Sequence, residues 1–166
     1  MNDLITTEIA KGLQSQSRPE IRAAIQSLYD VMAAMPVNFD KECVDFPVKH
    51  YKAPGMIGRE MFIPKGSIII GKIHKHAHLN IVSVGHVRVV TEAGQVEIIA
   101  PHTFTSEIGA RRAVFALEDT IWTTLHLNPN DLDPDDADDW EKLEAEIIAP
   151  DYQALNLSIE KIGGAS

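Results

Sequence analysis

The chain has 166 residues, of which 45% are hydrophobic and 23% are charged. This composition provides enough apolar sequence for one globular domain with a core and argues against a disordered chain. The formal net charge of -9 argues against nucleic acid as a partner, because nucleic-acid affinity comes from clustered lysine and arginine. No apolar run approaches the ~20 residues that span a bilayer, and the single cysteine, Cys43, fits a reducing compartment, so we expect a cytoplasmic protein without a membrane partner.

The first predicted element is a helix from about Pro19 to Met35. Ser17 and Glu20 have the spacing of a capping box, and Pro19 suits the first turn of the helix. Apolar residues follow at helical intervals until Pro36 ends the pattern. Their stripe predicts a helix face that packs on a core or on another subunit.

The region from Cys43 to Asn128 has the pattern of an all-β sandwich or barrel, because short β-branched runs alternate with glycine, proline and acidic turns. Eight or nine strands can be placed in it, which is the number found in a jelly roll. The predicted strands are Val48–Lys52, Glu60–Ile63, Ser67–His74, Leu79–Val84, His86–Thr91, Val96–Ala100, a segment around Thr103–Ser106, Arg112–Leu117 and Thr120–Leu127.

The second predicted helix follows an acidic run. Asp133 can cap this helix, Pro134 fits its first position, and the next aspartates complement the helix dipole. A calcium loop is the less favoured interpretation, because the run lacks the central glycine and the distal glutamate of an EF-hand. The apolar faces of the two helices favour a homo-oligomer, most simply a dimer. The predicted division of the chain is a helical segment (1–42), a β-barrel (43–128) and an acidic helix with a tail (129–166).

Three histidines alternate where a predicted strand ends, at His74, His76 and His78. Residues two apart on a strand point to the same side, so His74 and His76 could direct two imidazoles into one cavity. Imidazole is the commonest metal-ligating side chain at neutral pH. A polar strand face or a hydrated, histidine-rich turn explains the run equally well. His78 is expected to lie in the hairpin that follows the strand.

Gly71, the pair His74 and His76, Asn80 and Gly85 resemble the first sequence motif of the cupin superfamily. The resemblance covers most of the predicted barrel and implies a mainly β fold, with a single cupin-like jelly-roll barrel between an N-terminal and a C-terminal α-helix. The whole chain also looks like small cupin-type proteins encoded by tailed bacteriophages and prophages. This second likeness implies a phage origin and the cytoplasm of the bacterial host, but no agreed activity.

The sequence departs from the cupin pattern at two positions of the usual metal site. Asn80 stands where cupins usually place a metal-binding glutamate, and an amide is a much weaker ligand for a dication. Arg112 stands where they place a further histidine, and an arginine cannot ligate because it stays protonated. The usual set of three histidines and one glutamate is therefore not present in this chain.

His126, at the end of the last predicted strand, is a substitute ligand. A tight turn at Glu118-Asp119 would pair that strand with the preceding one and place His126 opposite Arg111, near the mouth of the barrel. The predicted ligands of a divalent transition metal are therefore His74, His76 and His126. The metal can be Zn, Fe, Mn, Ni or Cu, since all of them accept imidazole.

Two arginines beside the predicted metal site have two interpretations. Arg111 and Arg112, with Asn80 nearby, would bind a small anionic ligand, or they would pair with neighbouring acidic side chains. Two classes of function follow. One is a metal-dependent enzyme whose catalytic residues the sequence does not identify, and the other is a non-catalytic barrel that sequesters a ligand or assembles into oligomers with a degenerate metal site. The missing glutamate and histidine favour the second class slightly.

Overall fold

The computed structural model of the chain describes residues 17–34 and 46–156. Within these ranges helix α1 (Arg18–Ala34) and helix α2 (Ala137–Ile147) flank a β-domain, and residues 152–156 are also helical. The strands are β1 (Val48–Ala53), β2 (Met56–Ile63), β3 (Ile68–Ile70), β4 (Ile73–His74), β5 (His78–Val84), β6 (His86–Thr91), β7 (Gly94–Ile99), β8 (His102–Ser106), β9 (Ala113–Ala116), β10 (Thr120–Leu127) and β11 (Ile148–Ala149).

The strands form two antiparallel sheets whose order is that of a jelly roll. The first sheet has the order β1-β2-β10-β5-β8, and the second has the order β3-β9-β6-β7. Strands that follow one another in the chain thus repeatedly cross from one sheet to the other, which is how a jelly roll closes around its core. Strands β4 and β11 make a separate two-stranded pair. The predicted fold class, a mainly β barrel with a helix at each end, is confirmed by this topology.

One apolar core lies between the two sheets. It contains inward-facing side chains of both sheets: Ile63, Val82 and Trp122 from the first, and Val87, Val89, Ile98, Val114 and Ala116 from the second. Trp122 and Phe115 are buried, and Phe104 packs against the core cluster. Phe62 lies on the outer face of its sheet and is 39% exposed.

The predicted pairing of the last strand is wrong. Strand β10 pairs with β2 and β5, and the strand before it, β9, pairs with β3 and β6 in the other sheet. The turn at Glu118-Asp119 therefore carries the chain between sheets and does not close a hairpin. His126 lies opposite Ile57 of β2, not opposite Arg111.

Gly85 is placed where the crossing between β5 and β6 passes close to this turn. Its φ is +96°, and a Cβ atom there would meet the Asp119 carbonyl oxygen and the Thr120 side chain, with the Thr120 Cα only 2.8 Å away. Both the backbone conformation and the contact therefore require glycine.

We expect Gly85→Ala to lower the free energy of unfolding by about 3 kcal/mol or more, because backbone atoms must move to admit the methyl group. Gly94→Ala is the matched control, since Gly94 also has a positive φ, +122°, but has nothing within 4 Å of the added atom. It should cost only about 1 kcal/mol. Equal losses for the two variants in urea denaturation would contradict this account of Gly85.

Helix α1 packs against its own barrel. One half of the predicted capping box is present, because the Ser17 amide donates to the Glu20 carboxylate at 2.7 Å, and the Ser17 hydroxyl donates to the same carboxylate at 2.8 Å. Ile21 and Ile25 of the helix are buried against Ile70 and other apolar groups of the second sheet. The barrel of the same chain thus covers the first two residues of the apolar stripe of α1, and the homodimer stays a prediction. Met35 and Cys43 lie outside the described residues.

Helix α2 also folds back on the barrel, where Leu143 and Ile147 are buried with Ile57 of β2. The helix begins later than predicted: its N-cap is Asp136, whose carboxylate accepts from two backbone amides at 3.0 Å each. Asp133 instead closes a turn before the helix, with its carboxylate accepting from the amide of Asp135. No helix in the described parts of the chain is long and apolar enough to cross a membrane. The division of the chain at residues 42 and 128 stays a prediction.

Candidate metal centre

Three histidines converge at one end of the barrel: His74, His78 and His126. One ring nitrogen of each lies within 4.8 Å of a ring nitrogen of the other two. The ring centroids of His74 and His78 are 4.1 Å apart, those of His78 and His126 are 4.6 Å apart, and those of His74 and His126 are 5.1 Å apart. Among the described residues this is the one group of histidines, cysteines and carboxylates close enough together to hold an ion.

His74 is positioned by the C-terminal part of the chain. It lies in the two-residue strand β4, which pairs with β11 directly after helix α2, so that His74 is opposite Ile148. The amide of Gly109 donates to the His74 carbonyl at 2.8 Å, and the next amide, that of Lys75, donates to the carbonyl of Ile147 at 2.7 Å. The acidic helix therefore has a role that its sequence did not indicate: it fixes the backbone of a site residue.

His78 and His126 are positioned by the first sheet. His78 begins β5 and pairs with Ser106 of β8. His126 follows Leu125, which pairs with Leu79, so that His126 lies beside His78 on the neighbouring strand β10. Both side chains are buried on the inner face of the sheet. Two adjacent strands thus supply two imidazoles with a fixed separation.

His76 is not a member of this group, although it was predicted as a ligand. The strand that carries His74 ends there, and the chain bends at Lys75 and His76, so the alternation of a strand does not continue. The side chain of His76 is exposed, and His78, which was expected in the connecting hairpin, begins the next strand and points inward. His76 contributes its backbone carbonyl, which faces Nδ1 of His78 at 3.3 Å.

The three histidines are held in their neutral form. Burial lowers the pKa of His74 to about 2, with further lowering by the charges of His78, His126, Arg112 and Arg59. Burial also lowers the pKa of His126 to about 4. The pKa of His78 is lowered by burial, and its hydrogen bond with the His76 carbonyl acts in the opposite direction. At neutral pH each imidazole therefore has a lone pair available for a Lewis acid.

Two ring nitrogens of the group are buried without a hydrogen-bond partner in the described part of the chain: Nδ1 of His74 and Nε2 of His78. A carbonyl only accepts, so the contact with the His76 oxygen places the proton of His78 on Nδ1 and leaves the lone pair on Nε2. Buried polar atoms almost always have a partner, and a metal-ligating histidine commonly donates its other N–H to a carbonyl. His78 has this arrangement.

The donor set fits a divalent transition metal. With metal-to-nitrogen distances of 2.0–2.1 Å, two ligands of one ion lie at most about 4.2 Å apart, so nitrogens within 4.8 Å of one another need only small side-chain rotations. Three neutral imidazoles suit Zn, Fe, Mn, Ni or Cu, and magnesium and calcium, which prefer oxygen ligands, do not fit.

A polar network lies next to the histidines on the inner face of the first sheet. The indole of Trp122 donates to Oδ1 of Asn80 at 3.0 Å, and Nδ2 of Asn80 donates to Oγ of Ser106 at 2.5 Å. The guanidinium of Arg112 donates to the same Ser106 oxygen. Asn80 is thus inside the barrel. Trp122 fixes its amide oxygen, and its amide nitrogen holds Ser106, which in turn holds Arg112.

Arg111 and Arg112 have different surroundings. Arg111 donates to the Gly71 carbonyl at 3.1 Å and to the side chain of Gln26, and its guanidinium lies 4.8 Å from the ring centre of Tyr29, so it connects helix α1 to the barrel. Neither arginine forms an ion pair within the described ranges, and the anion-binding role of the two arginines stays a prediction.

Comparisons with known proteins find solved structures that are similar to part of this chain, but no sequence family. No family model and no curated protein matches the chain. A solved structure of KdgF from Halomonas sp. is 16% identical, with a TM-score of 0.44 over 54% of this chain and 92% of that chain. A cupin-2 domain protein from Shewanella frigidimarina is 8% identical, with a TM-score of 0.42 over 61% of this chain and 92% of that chain.

A cupin superfamily protein from Desulfitobacterium hafniense gives a TM-score of 0.44 at 6% identity, over 50% of this chain and 77% of that chain. With TM-scores below 0.5, the description of this chain as a jelly roll rests on its own strand order and register. What the site does is argued from its own residues.

Proposed function

We propose that this barrel binds one divalent transition metal per chain through His74, His78 and His126. The observation that carries the proposal is the convergence of three neutral imidazoles, two of which have a buried nitrogen without a hydrogen-bond partner in the described ranges. A structural role alone would favour hydrogen-bonded rings, because leaving a buried polar atom unpaired costs about 1–3 kcal/mol.

Three protein ligands leave coordination positions open for another molecule, as in catalytic zinc sites and unlike closed structural ones. When bound, the ion would supply a Lewis acid or a site for oxygen. The protein residues around it act on whatever enters: the apolar core limits water, and Arg112 places a positive charge beside the site. This arrangement favours a ligand-processing or ligand-binding barrel over one with a degenerate site. Phage origin, a cytoplasmic location and the homodimer stay predictions of the sequence.

The proposal is tested by elemental analysis of protein purified without a histidine tag, stripped with a chelator and then dialysed against Zn, Mn, Fe, Ni or Cu salts. We expect one equivalent of at least one of these metals per chain and almost none in the double variant His74→Ala plus His126→Ala. The exposed His102→Ala variant is the control and should retain the metal. Substoichiometric metal in the wild type after dialysis against all five would overturn the proposal.

A further inference from the structure

The barrel is open on one side, where the two sheets end in β7 and β8. A cleft of about 270 Å³ lies there, lined by Val89, Val96, Ile98 and Phe104 and by the polar residues Thr91, His102 and Arg112. This volume is slightly below the range of about 300–1,000 Å³ for small-molecule sites, so only a small ligand fits, and the mixture of apolar walls with one cation is typical of such sites. The cleft therefore fits a small molecule that has an apolar part and a negative charge.

Arg112 is the charged group of this cleft. Its guanidinium donates to Ser106 and lies 5.3 Å from the ring centre of Phe104, and no acidic side chain pairs with it in the described ranges. Burial lowers the pKa of Arg112, which reflects the cost of keeping a cation away from water. A partly buried charge without a counter-ion is expensive, so an anion that enters the cleft gains a strong interaction.

Arg112 also faces the histidines. Its hydrogen-bond partner Ser106 pairs with His78 across β8 and β5. The positive charge of Arg112 lowers the pKa of both His74 and His78, so the guanidinium is close to the group. The charged groups that shift the pKa of His74 are arginines and other histidines. A metal cation bound by the histidines would add to the positive charge of these arginines. The group of three histidines contains no carboxylate that would balance this charge.

Ser106 holds the guanidinium of Arg112 in place. Its oxygen accepts hydrogen bonds from both Asn80 and Arg112. The bond from Trp122 to Asn80 fixes the amide, and the amide fixes Ser106. Ser106 is 1% exposed and does not line the cleft, so a carboxylate in the cleft would pair with the guanidinium, whose two N–H groups match its two oxygens.

We propose that the cleft between β7 and β8 binds a small monocarboxylate, with the carboxylate on Arg112 at the side of the histidines and the apolar body against Val89, Val96 and Ile98. The inference deepens the proposed function, since a metal on the histidines would lie on the other side of the same carboxylate. The carboxylate would pair with Arg112 whether or not a metal is bound. The carboxylate site and the metal site can therefore be tested, and can fail, independently.

The experiment uses benzoate as the probe and benzyl alcohol as its uncharged counterpart. Binding to metal-free protein is measured by ligand-observed NMR, and Co²⁺-loaded protein is then titrated with benzoate while its visible absorption is recorded. We expect benzoate to bind at least about tenfold more tightly than benzyl alcohol, because only the carboxylate pairs with the guanidinium. In the Co²⁺ form benzoate should also change the metal absorption bands.

Arg112→Met should weaken benzoate binding at least about tenfold and leave binding of benzyl alcohol unchanged. The matched control is Arg88→Met, which removes an arginine that is paired with Glu97 on the same sheet and does not line the cleft. The comparison of benzoate with benzyl alcohol on the wild type needs no variant. It therefore tests the preference for a carboxylate even if Arg112→Met fails to fold.

Equal binding of benzoate and benzyl alcohol to the wild type, or no binding of either, overturns the carboxylate site. If Co²⁺ absorption still develops in that protein, the metal site stands without it. Selective benzoate binding that Arg112→Met abolishes supports the carboxylate site, even if the protein takes up no Co²⁺, in which case the proposed function alone fails.

Discussion

Replacing His78 with alanine is expected to lower the affinity for zinc at least about 100-fold while the fold is retained. An imidazole nitrogen that bonds a dication contributes far more than a surface hydrogen bond, and only two of the three ligands would remain. His78 begins β5 at the edge of the apolar core, and removing its ring opens a space without breaking a strand pairing. Competition with a chromophoric zinc chelator measures the change.

His76→Ala is the matched control, because His76 is two residues away and its side chain is exposed outside the group. Its effect on zinc affinity should be less than about threefold, since only its backbone carbonyl contacts His78. If His76→Ala abolished zinc binding and His78→Ala did not, the ligand set expected from strand alternation would be right and the one proposed from the structure would be wrong.

The metal-free protein is expected to lose stability steeply as the pH falls below about 6.5. The pKa of His74 is lowered to about 2 and that of His126 to about 4, whereas both titrate near 6.5 in the unfolded chain. At a pH between the folded and the unfolded pKa of a histidine, the unfolded state binds a proton that the folded state does not. The free energy of unfolding is therefore highest above the unfolded pKa and decreases on acidification. The slope is about 1.4 kcal/mol per pH unit for each histidine, until the folded pKa is reached.

Urea denaturation in the presence of a chelator, at intervals from pH 8 to pH 4, measures this slope. His74→Gln should reduce it by about 1.4 kcal/mol per pH unit, since one of the buried histidines no longer titrates. A wild-type stability that is flat between pH 6.5 and pH 5 would contradict the buried, neutral state of the histidines.

Much of the fold could be predicted from local sequence signals. The capping box at Ser17 and Glu20 sets the start of α1, and β-branched runs between glycine turns give the jelly-roll strands. The pairing of the last strand could not be predicted in the same way, because a tight turn at Glu118-Asp119 is compatible both with a hairpin and with a crossing between sheets. Burial of Trp122 against the opposite sheet selects the crossing.

The candidate site was predicted only in part, because strand alternation holds only while the strand continues. His74 and His76 are two residues apart, so an unbroken strand would place both side chains on one face. The bend after His74 leaves His76 exposed and places His78 on the inner face instead. His126 does lie in the group, although the pairing that pointed to it is wrong. The contact between β4 and β11 involves residues more than 70 positions apart, and no local pattern reveals it.

The central claim, that three histidines from β4, β5 and β10 hold one metal, is tested most directly by X-ray absorption at the zinc edge of stoichiometrically loaded protein. The account predicts three imidazole nitrogens at 2.0–2.1 Å, with the remaining positions taken by light atoms from solvent or ligand. The imidazole signature should fall to two rings in His78→Ala and stay at three in His76→Ala. A spectrum dominated by carboxylate oxygens, or one with a single imidazole, would contradict it.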